Sequence, residues 1–190
     1  MNFGETLTYW YLRLNGFIPM RNFVLHRRNI EGHAAADTDL LAVRFPHVYE
    51  AIGGTRDDWD HARFAGWALN LDRNLAFIVE VKTGQVDREI RGWRLERLAA
   101  ALRRLGMFEQ GRVPEIVEQL EQASALDVDS WTIVKLLVTK QPFPEGYWVN
   151  LTLDDADDFI GRRITAYKAD KSADRLRFPD DLMQYLAWKR

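Results

Sequence analysis

The segment that most constrains the fold runs from Leu75 to Val81, with the sequence LAFIVEV. It is almost continuously apolar, which is typical of a β-strand buried on both faces of its sheet. The polar residues Lys82–Gly84 end it. A strand of this kind needs helices on both sides of the sheet, so the run predicts an α/β domain.

This strand carries two charged residues where burial would normally forbid them. Glu80 and Lys82 are two positions apart, so their side chains project from the same face of the strand. A second apolar run, Asp39–Phe45, also predicts a strand, because it is short and is stopped by Pro46. If the two strands pair, Asp39 and Glu80 come close together with Lys82 beside them.

Two carboxylates on an apolar sheet are unfavourable unless a cation compensates them. Mg²⁺ (or Mn²⁺) would do so, since Mg²⁺ binds to one or two carboxylates, waters and substrate phosphate oxygens. Such an ion polarises a phosphate and lowers the pKa of a bound water. Lys82 would orient that water or stabilise the charge that grows on the phosphate. The pattern therefore predicts a phosphodiesterase with Asp39 and Glu80 as metal ligands and Lys82 as the catalytic cation.

The remaining patterns predict one domain over residues 1–190, with an insertion at about 46–74 and a C-terminal helical extension at about 154–190. The connection of about thirty residues after Phe45 is long for a loop, which favours a lid or a substrate-facing element. The predicted helices are Asn2–Asn15, Gly92–Leu105, Pro114–Ser124, Asp154–Lys168 and Pro179–Lys189. The predicted strands are Asn22–His26, Asp39–Phe45, Leu75–Val81, Trp131–Thr139 and Tyr147–Leu153.

The triplet Glu80-Val81-Lys82, with Asp39 on the preceding strand, resembles the signature of the PD-(D/E)XK nuclease superfamily. The first helix, which carries Glu5 and ends at a glycine, is similar to the first helix of that superfamily. The segment DTDLLA, which contains Asp37 and Asp39, is similar to a strand of its resolvase-like members. In this chain a threonine, rather than proline, precedes Asp39.

The resemblance implies a restriction-endonuclease-like core, a small mixed sheet flanked by helices in α-β-β-β-α-β order. It also implies a divalent-metal-dependent nuclease, with DNA as the expected substrate and Glu5 and Asp37 as auxiliary acids. Many relatives of this size are dimers, so a homodimer is compatible with it. Gln85 follows Lys82 closely and is a candidate contact for the metal-bound water or the substrate, although such residues often cap turns.

Arginines recur every three residues after this strand, at Arg88, Arg91, Arg94 and Arg97. They could follow a phosphate backbone, or they could form the solvated face of a helix. The whole chain has a formal net charge of −2. Because nucleic-acid-binding domains often have a basic balance, this charge favours an alternative function, a catalytically inactive nuclease-like fold that binds nucleic acid or serves in assembly.

Composition excludes several other classes of function. The chain has no cysteine, which excludes disulfides, thiolate nucleophiles and cysteine-ligated metals. It shows neither a secretory signal pattern nor an apolar run of membrane-spanning length, so we expect no membrane association. These features together predict a cytoplasmic protein.

Overall fold

The computed structural model describes residues 2–23, 38–49, 55–84, 95–143, 146–166 and 180–189, which form a mixed six-stranded sheet flanked by helices. The strands are β1 (Ile18–Phe23), β2 (Thr38–Arg44), β3 (Asn74–Lys82), β4 (Ala125–Val128), β5 (Trp131–Thr139) and β6 (Val149–Thr152). The α-helices are α1 (Phe3–Leu14), α2 (His61–Gly66), α3 (Leu95–Leu105), α4 (Val113–Glu121), α5 (Leu153–Ala166) and α6 (Asp181–Lys189). Single 3₁₀ turns precede α2 and α4, at Arg56–Asp58 and Gln110–Arg112.

The sheet combines an antiparallel and a parallel half. β1, β2 and β3 form an antiparallel meander, and β3 then pairs in parallel with β5. The far edge of β5 is shared, since β4 pairs antiparallel with Trp131–Val134 and β6 pairs in parallel with Leu136–Thr139. The C-terminal ends of β3, β5 and β6 therefore lie at one end of the sheet.

Each face of the sheet is covered by its own helices. On one face, Leu40 and Val79 pack in the core with side chains of α1, α5 and α6. On the other face, Leu41 and Ile78 pack with side chains of α3 and α4. This two-sided burial explains the continuous apolar sequence of β3 and confirms the predicted α/β class. None of the helices in the described ranges has the length and apolar character required to cross a membrane.

Most of the predicted elements are present, but the first strand begins earlier than predicted. The predicted strand Asn22–His26 overlaps only the end of β1, which begins at Ile18 and includes Pro19. Proline lacks the N–H that a central strand would need, yet an edge strand tolerates it, and β1 is an edge of this sheet. Residues 24–26 lie outside the described part of the chain.

Strand β4 was not predicted. It forms a tight hairpin with β5, in which Val128 pairs with Trp131 and Asp129 occupies the left-handed region at φ 51°. Asp is one of the few residues that adopt this conformation readily in a two-residue turn. The strand is only four residues long and weakly alternating, so its sequence carries little periodic signal.

The connection between β2 and β3 lies far from the predicted catalytic residues. It leaves β2 at Arg44 and enters β3 at Asn74, whereas Asp39 is the second residue of β2 and Lys82 ends β3. Over the nine residues of β3 this separation is about 26 Å. Because β2 and β3 are antiparallel, the described part of the connection lies at the opposite end of the sheet from Asp39, Glu80 and Lys82, so that part does not form a lid over these three residues.

Buried arginines hold this connection against the end of α1. Arg44 donates hydrogen bonds to the carbonyl oxygens of Asn15 and Leu71, at 3.3 and 2.8 Å, and its guanidinium lies 4.3 Å from the ring centre of Trp59. Arg163 donates to the carbonyls of Leu14 and Asp58, each at 2.9 Å. Trp59 is consequently buried rather than available to stack on a nucleic-acid base.

The middle of β5 contains a fully buried lysine. Lys135 donates a hydrogen bond from Nζ to the carbonyl oxygen of Glu121, the last residue of α4, at 3.0 Å. The ammonium also lies 5.7 Å from the ring centre of Trp148. Burial lowers the pKa of Lys135 to about 8, because the charged form loses its hydration.

This lysine should make stability depend on pH. The unfolded lysine has a pKa of about 10.4, so between pH of about 8 and 10.4 the unfolded state binds more protons than the folded state. The free energy of unfolding of the wild type, measured relative to Lys135→Met, should therefore rise across this window, by up to about 1.4 kcal/mol per pH unit. Urea unfolding at several pH values tests this, with the exposed Lys140→Met as the matched control. A difference that is flat between pH of about 8 and 10 would contradict the prediction.

Candidate active site

The three residues that the sequence singled out lie at one end of the sheet. Asp39 stands at the start of β2, and Glu80 and Lys82 stand at the end of β3. The antiparallel register pairs Leu40 with Val79, so the next positions outward along the two strands are Asp39 and Glu80. Residues opposite each other in an antiparallel pair project from the same face, which brings the two carboxylates to one side.

Glu80 is the buried centre of the group, with 4% of its surface exposed. Its Oε1 forms an ion pair with Lys82 Nζ at 2.5 Å. Its Oε2 lies 3.3 Å from a terminal nitrogen of Arg97 on α3. No hydrogen bond of Oε2 is found among the described residues, so this oxygen retains lone pairs for a further ligand.

The electrostatic environment of Glu80 is a balance of burial and charge. Burial raises the pKa of Glu80 above its ordinary value, because water no longer solvates the carboxylate. The hydrogen bond from Lys82 and the charge of Arg97 act in the opposite direction, and the charge of Asp39 raises the pKa further. The net increase means that the folded protein holds this carboxylate at an energetic cost.

Asp39 is fixed by the backbone of the strand beside it. Its Oδ2 accepts a hydrogen bond from the backbone N–H of Val81 at 2.7 Å. Val81 lies between Glu80 and Lys82, so this bond ties the Asp39 carboxylate to the triplet.

Arg97 is a site residue that the sequence did not single out from the other arginines. It lies in the first turn of α3, and its side chain is only 20% exposed. It precedes the buried Ala101 by four residues, so it borders the apolar stripe of the helix rather than its solvated face. This four-residue spacing is the signal in the sequence that could have distinguished Arg97 from the other arginines. The packing of α3 on β3 is what identifies Glu80 as the partner of Arg97.

Glu5 forms part of the cap at the start of α1, and its role as an auxiliary acid stays a prediction. Its Oε1 accepts a hydrogen bond from Asn2 Nδ2 at 2.7 Å, and its N–H donates to Asn2 Oδ1 at 2.9 Å, which caps the helix reciprocally. The start of α1 nevertheless lies against the end of β3. A Cβ at Gly4 would come within 2.9 Å of Val81 Cγ1 and 2.7 Å of Thr83 Cγ2, so only glycine permits this close approach.

Five further candidates lie outside the described residues, so the predictions for them stay predictions. They are the auxiliary residues Asp37 and Gln85 and the candidate nucleic-acid-binding residues Arg88, Arg91 and Arg94.

The acidic residues suit a metal that needs few protein ligands. Within the described ranges, no group of three or more His, Asp or Glu side chains could hold a metal ion. Mg²⁺ commonly keeps several waters and binds through one or two carboxylates, so the two carboxylates of Asp39 and Glu80 match in number what it needs from a protein. The buried Glu80 Oε2, which has no hydrogen bond among the described residues, is the atom that best fits such a ligand.

Comparison with known proteins adds no assignment. No family model, curated protein or solved structure matches this chain significantly.

The burial of Glu80 generates a stability prediction. Its folded pKa lies above the unfolded value of about 4.3, so between these two pKa values the folded state binds more protons. The free energy of unfolding of the wild type relative to Glu80→Gln should therefore fall as pH rises from about 4 through the raised pKa. The slope should reach up to about 1.4 kcal/mol per pH unit.

Denaturant unfolding in a chelating, metal-free buffer measures this difference. The matched control is Glu118→Gln, on the exposed face of α4. The same pH dependence in both variants would show that burial of Glu80 is not its cause.

Proposed function

We propose that this protein is a divalent-metal-dependent nuclease that hydrolyses phosphodiester bonds in DNA, with a PD-(D/E)XK-type site and a restriction-endonuclease-like core. The observation that carries the proposal is the grouping of Asp39, Glu80 and Lys82 on one face, at one end of the strand pair β2–β3. Glu80 is buried there, and its Oε2, which faces Arg97, makes no hydrogen bond among the described residues, so this oxygen can accept a further ligand.

The topology supports the same conclusion. A helix is followed by three antiparallel strands, then by helices α3 and α4, and then by β5, which is parallel to β3. Apart from α2 in the β2–β3 connection and the hairpin strand β4 beside β5, this order is compatible with the α-β-β-β-α-β order of the proposed core. The acidic pair lies at the C-terminal end of β3, and open α/β sheets bind their ligands outside the C-terminal ends of their strands.

Each residue of the group has a chemical role in this proposal. Asp39 and Glu80 would hold Mg²⁺ or Mn²⁺, and when bound this ion supplies Lewis acidity and a water of lowered pKa. Lys82 is 40% exposed, so its ammonium can reach a substrate while remaining beside Glu80. It would hold the attacking water in line or stabilise the negative charge that develops on the phosphate oxygens.

An alternative function has one observation in its favour. Glu80 is already in contact with two cations, Lys82 and Arg97, so the site is internally neutralised without any metal. A catalytically inactive nuclease-like fold that binds nucleic acid or serves in assembly would have no need of a metal ion. The nuclease proposal is preferred, because a fold used only for binding does not require two carboxylates and a lysine at one point.

Cleavage assays distinguish the two functions. Purified protein is incubated with supercoiled plasmid and with single-stranded DNA, in Mg²⁺, in Mn²⁺ and in EDTA. The wild type should cut DNA only with a metal ion, whereas Asp39→Asn, Glu80→Gln and Lys82→Met should each lose at least about 100-fold in rate. Glu118→Gln is the control for expression and for contaminating nucleases, since its side chain is exposed on α4.

Each outcome of these cleavage assays supports a different conclusion. Cutting that persists at the wild-type rate in all three site variants would exclude this site. Metal-independent DNA binding without cutting would support the inactive module instead.

Thermal unfolding with Mn²⁺ gives an independent measure of metal binding, since a ligand of the folded state raises the melting temperature. That increase should be present in the wild type and absent in Asp39→Asn.

A further inference from the structure

The contact between Arg97 and Glu80 carries an inference that rests on the proposed function and extends it. We propose that Arg97 is the charge-balancing residue of this site, which neutralises Glu80 when no metal is bound and contacts a DNA phosphate once metal and DNA bind. Metal and phosphate would then bind cooperatively, with Arg97 coupling them.

The geometry places Arg97 where it competes with a metal ion. Its terminal nitrogen lies 3.3 Å from Glu80 Oε2. The other Glu80 oxygen is paired with Lys82, whereas Oε2 makes no hydrogen bond among the described residues. Oε2 is therefore the Glu80 oxygen most open to an ion held by Asp39 and Glu80, and it is the oxygen that Arg97 now faces.

The formal charges lead to the same result. Among the described residues of the metal-free site, the two carboxylates of Asp39 and Glu80 lie beside two cations, Lys82 and Arg97. A divalent ion adds two positive charges to this group, and an excess of positive charge in a partly buried place is unfavourable at low effective dielectric constant. A DNA phosphate supplies negative charge at that point, so it relieves the excess and favours retention of the metal.

Arginine is suited to this exchange of partners. Its planar guanidinium binds carboxylate and phosphate with similar geometry, and it stays charged throughout. The Arg97 side chain is one-fifth exposed, so part of it already faces solvent. Because α3 is anchored by buried Leu98 and Leu102, the helix can stay in place while the side chain turns from Glu80 to phosphate.

A charge-balancing role and a purely structural role of Arg97 predict opposite changes in metal affinity when Arg97 is removed. If Arg97 only held Glu80 in position, its removal would weaken metal binding. If it competes with the metal, its removal strengthens metal binding while it slows cleavage. An effect of this sign follows from the loss of a positive charge close to the cation.

The experiment measures Mn²⁺ affinity of the full chain without DNA, by electron paramagnetic resonance of free Mn²⁺, together with Mg²⁺-dependent cleavage of plasmid. Arg97→Met should bind Mn²⁺ at least about threefold more tightly and cleave at least about tenfold more slowly. Arg97→Gln removes the charge but keeps an amide donor, and it serves if the methionine variant does not fold. Arg97→Lys should keep the wild-type Mn²⁺ affinity, and the exposed Arg103→Met on the same helix should change neither quantity.

The Asp39→Asn variant distinguishes failure of the charge-balancing role of Arg97 from failure of the proposed function. If this variant weakens Mn²⁺ binding but neither neutral variant of Arg97 strengthens it, the charge-balancing role is overturned and the proposed function stands. If Asp39→Asn leaves Mn²⁺ binding unchanged, or the wild type binds none, the metal does not occupy this site and both proposals fall. Tighter binding in Arg97→Met with undiminished cleavage would overturn the contact between Arg97 and phosphate.

Discussion

Parallel pairing of β3 with β5 is the constraint on which the rest of the structure depends. Parallel neighbours require a crossover connection, and here α3 and α4 provide it on one face of the sheet. The opposite face is then covered by α1, α5 and α6. With both faces buried, β3 has little place for polar side chains except at its ends, which is where Glu80 and Lys82 lie.

The same constraint explains the electrostatic character of the site. A carboxylate near the end of a doubly covered strand loses water on all sides, and burial raises the pKa of Glu80 accordingly. Lys82 on the same strand and Arg97 on the crossover helix reduce that cost, whereas Asp39 on the paired strand adds to it, because its charge has the same sign. The site is therefore assembled by the pairing and the crossover together, and neither would suffice alone.

The opposite end of the sheet serves stability. There the carbonyl oxygens at the end of α1 accept hydrogen bonds from Arg44 and Arg163, which also contact the β2–β3 connection. The helix ends in a glycine cap, with Gly16 at φ 81° and its N–H donating to the Arg13 carbonyl. The buried arginines supply donors to the carbonyls of Leu14 and Asn15, because carbonyl groups taken out of water need donors. In this chain, arginine thus satisfies backbone carbonyls at one end of the sheet and a carboxylate at the other.

The sequence by itself determined the class of fold, most of the helices and the strands β2, β3 and β5, because their apolar patterns are long and periodic. It also singled out Asp39, Glu80 and Lys82, since charges beside a buried strand are conspicuous. It did not determine β4, the start of β1, the position of the β2–β3 connection or the partner of Arg97. Those features depend on which strands pair and which helix face meets the sheet. Only the tertiary structure decided them, because contacts between residues distant in the chain leave no local periodicity.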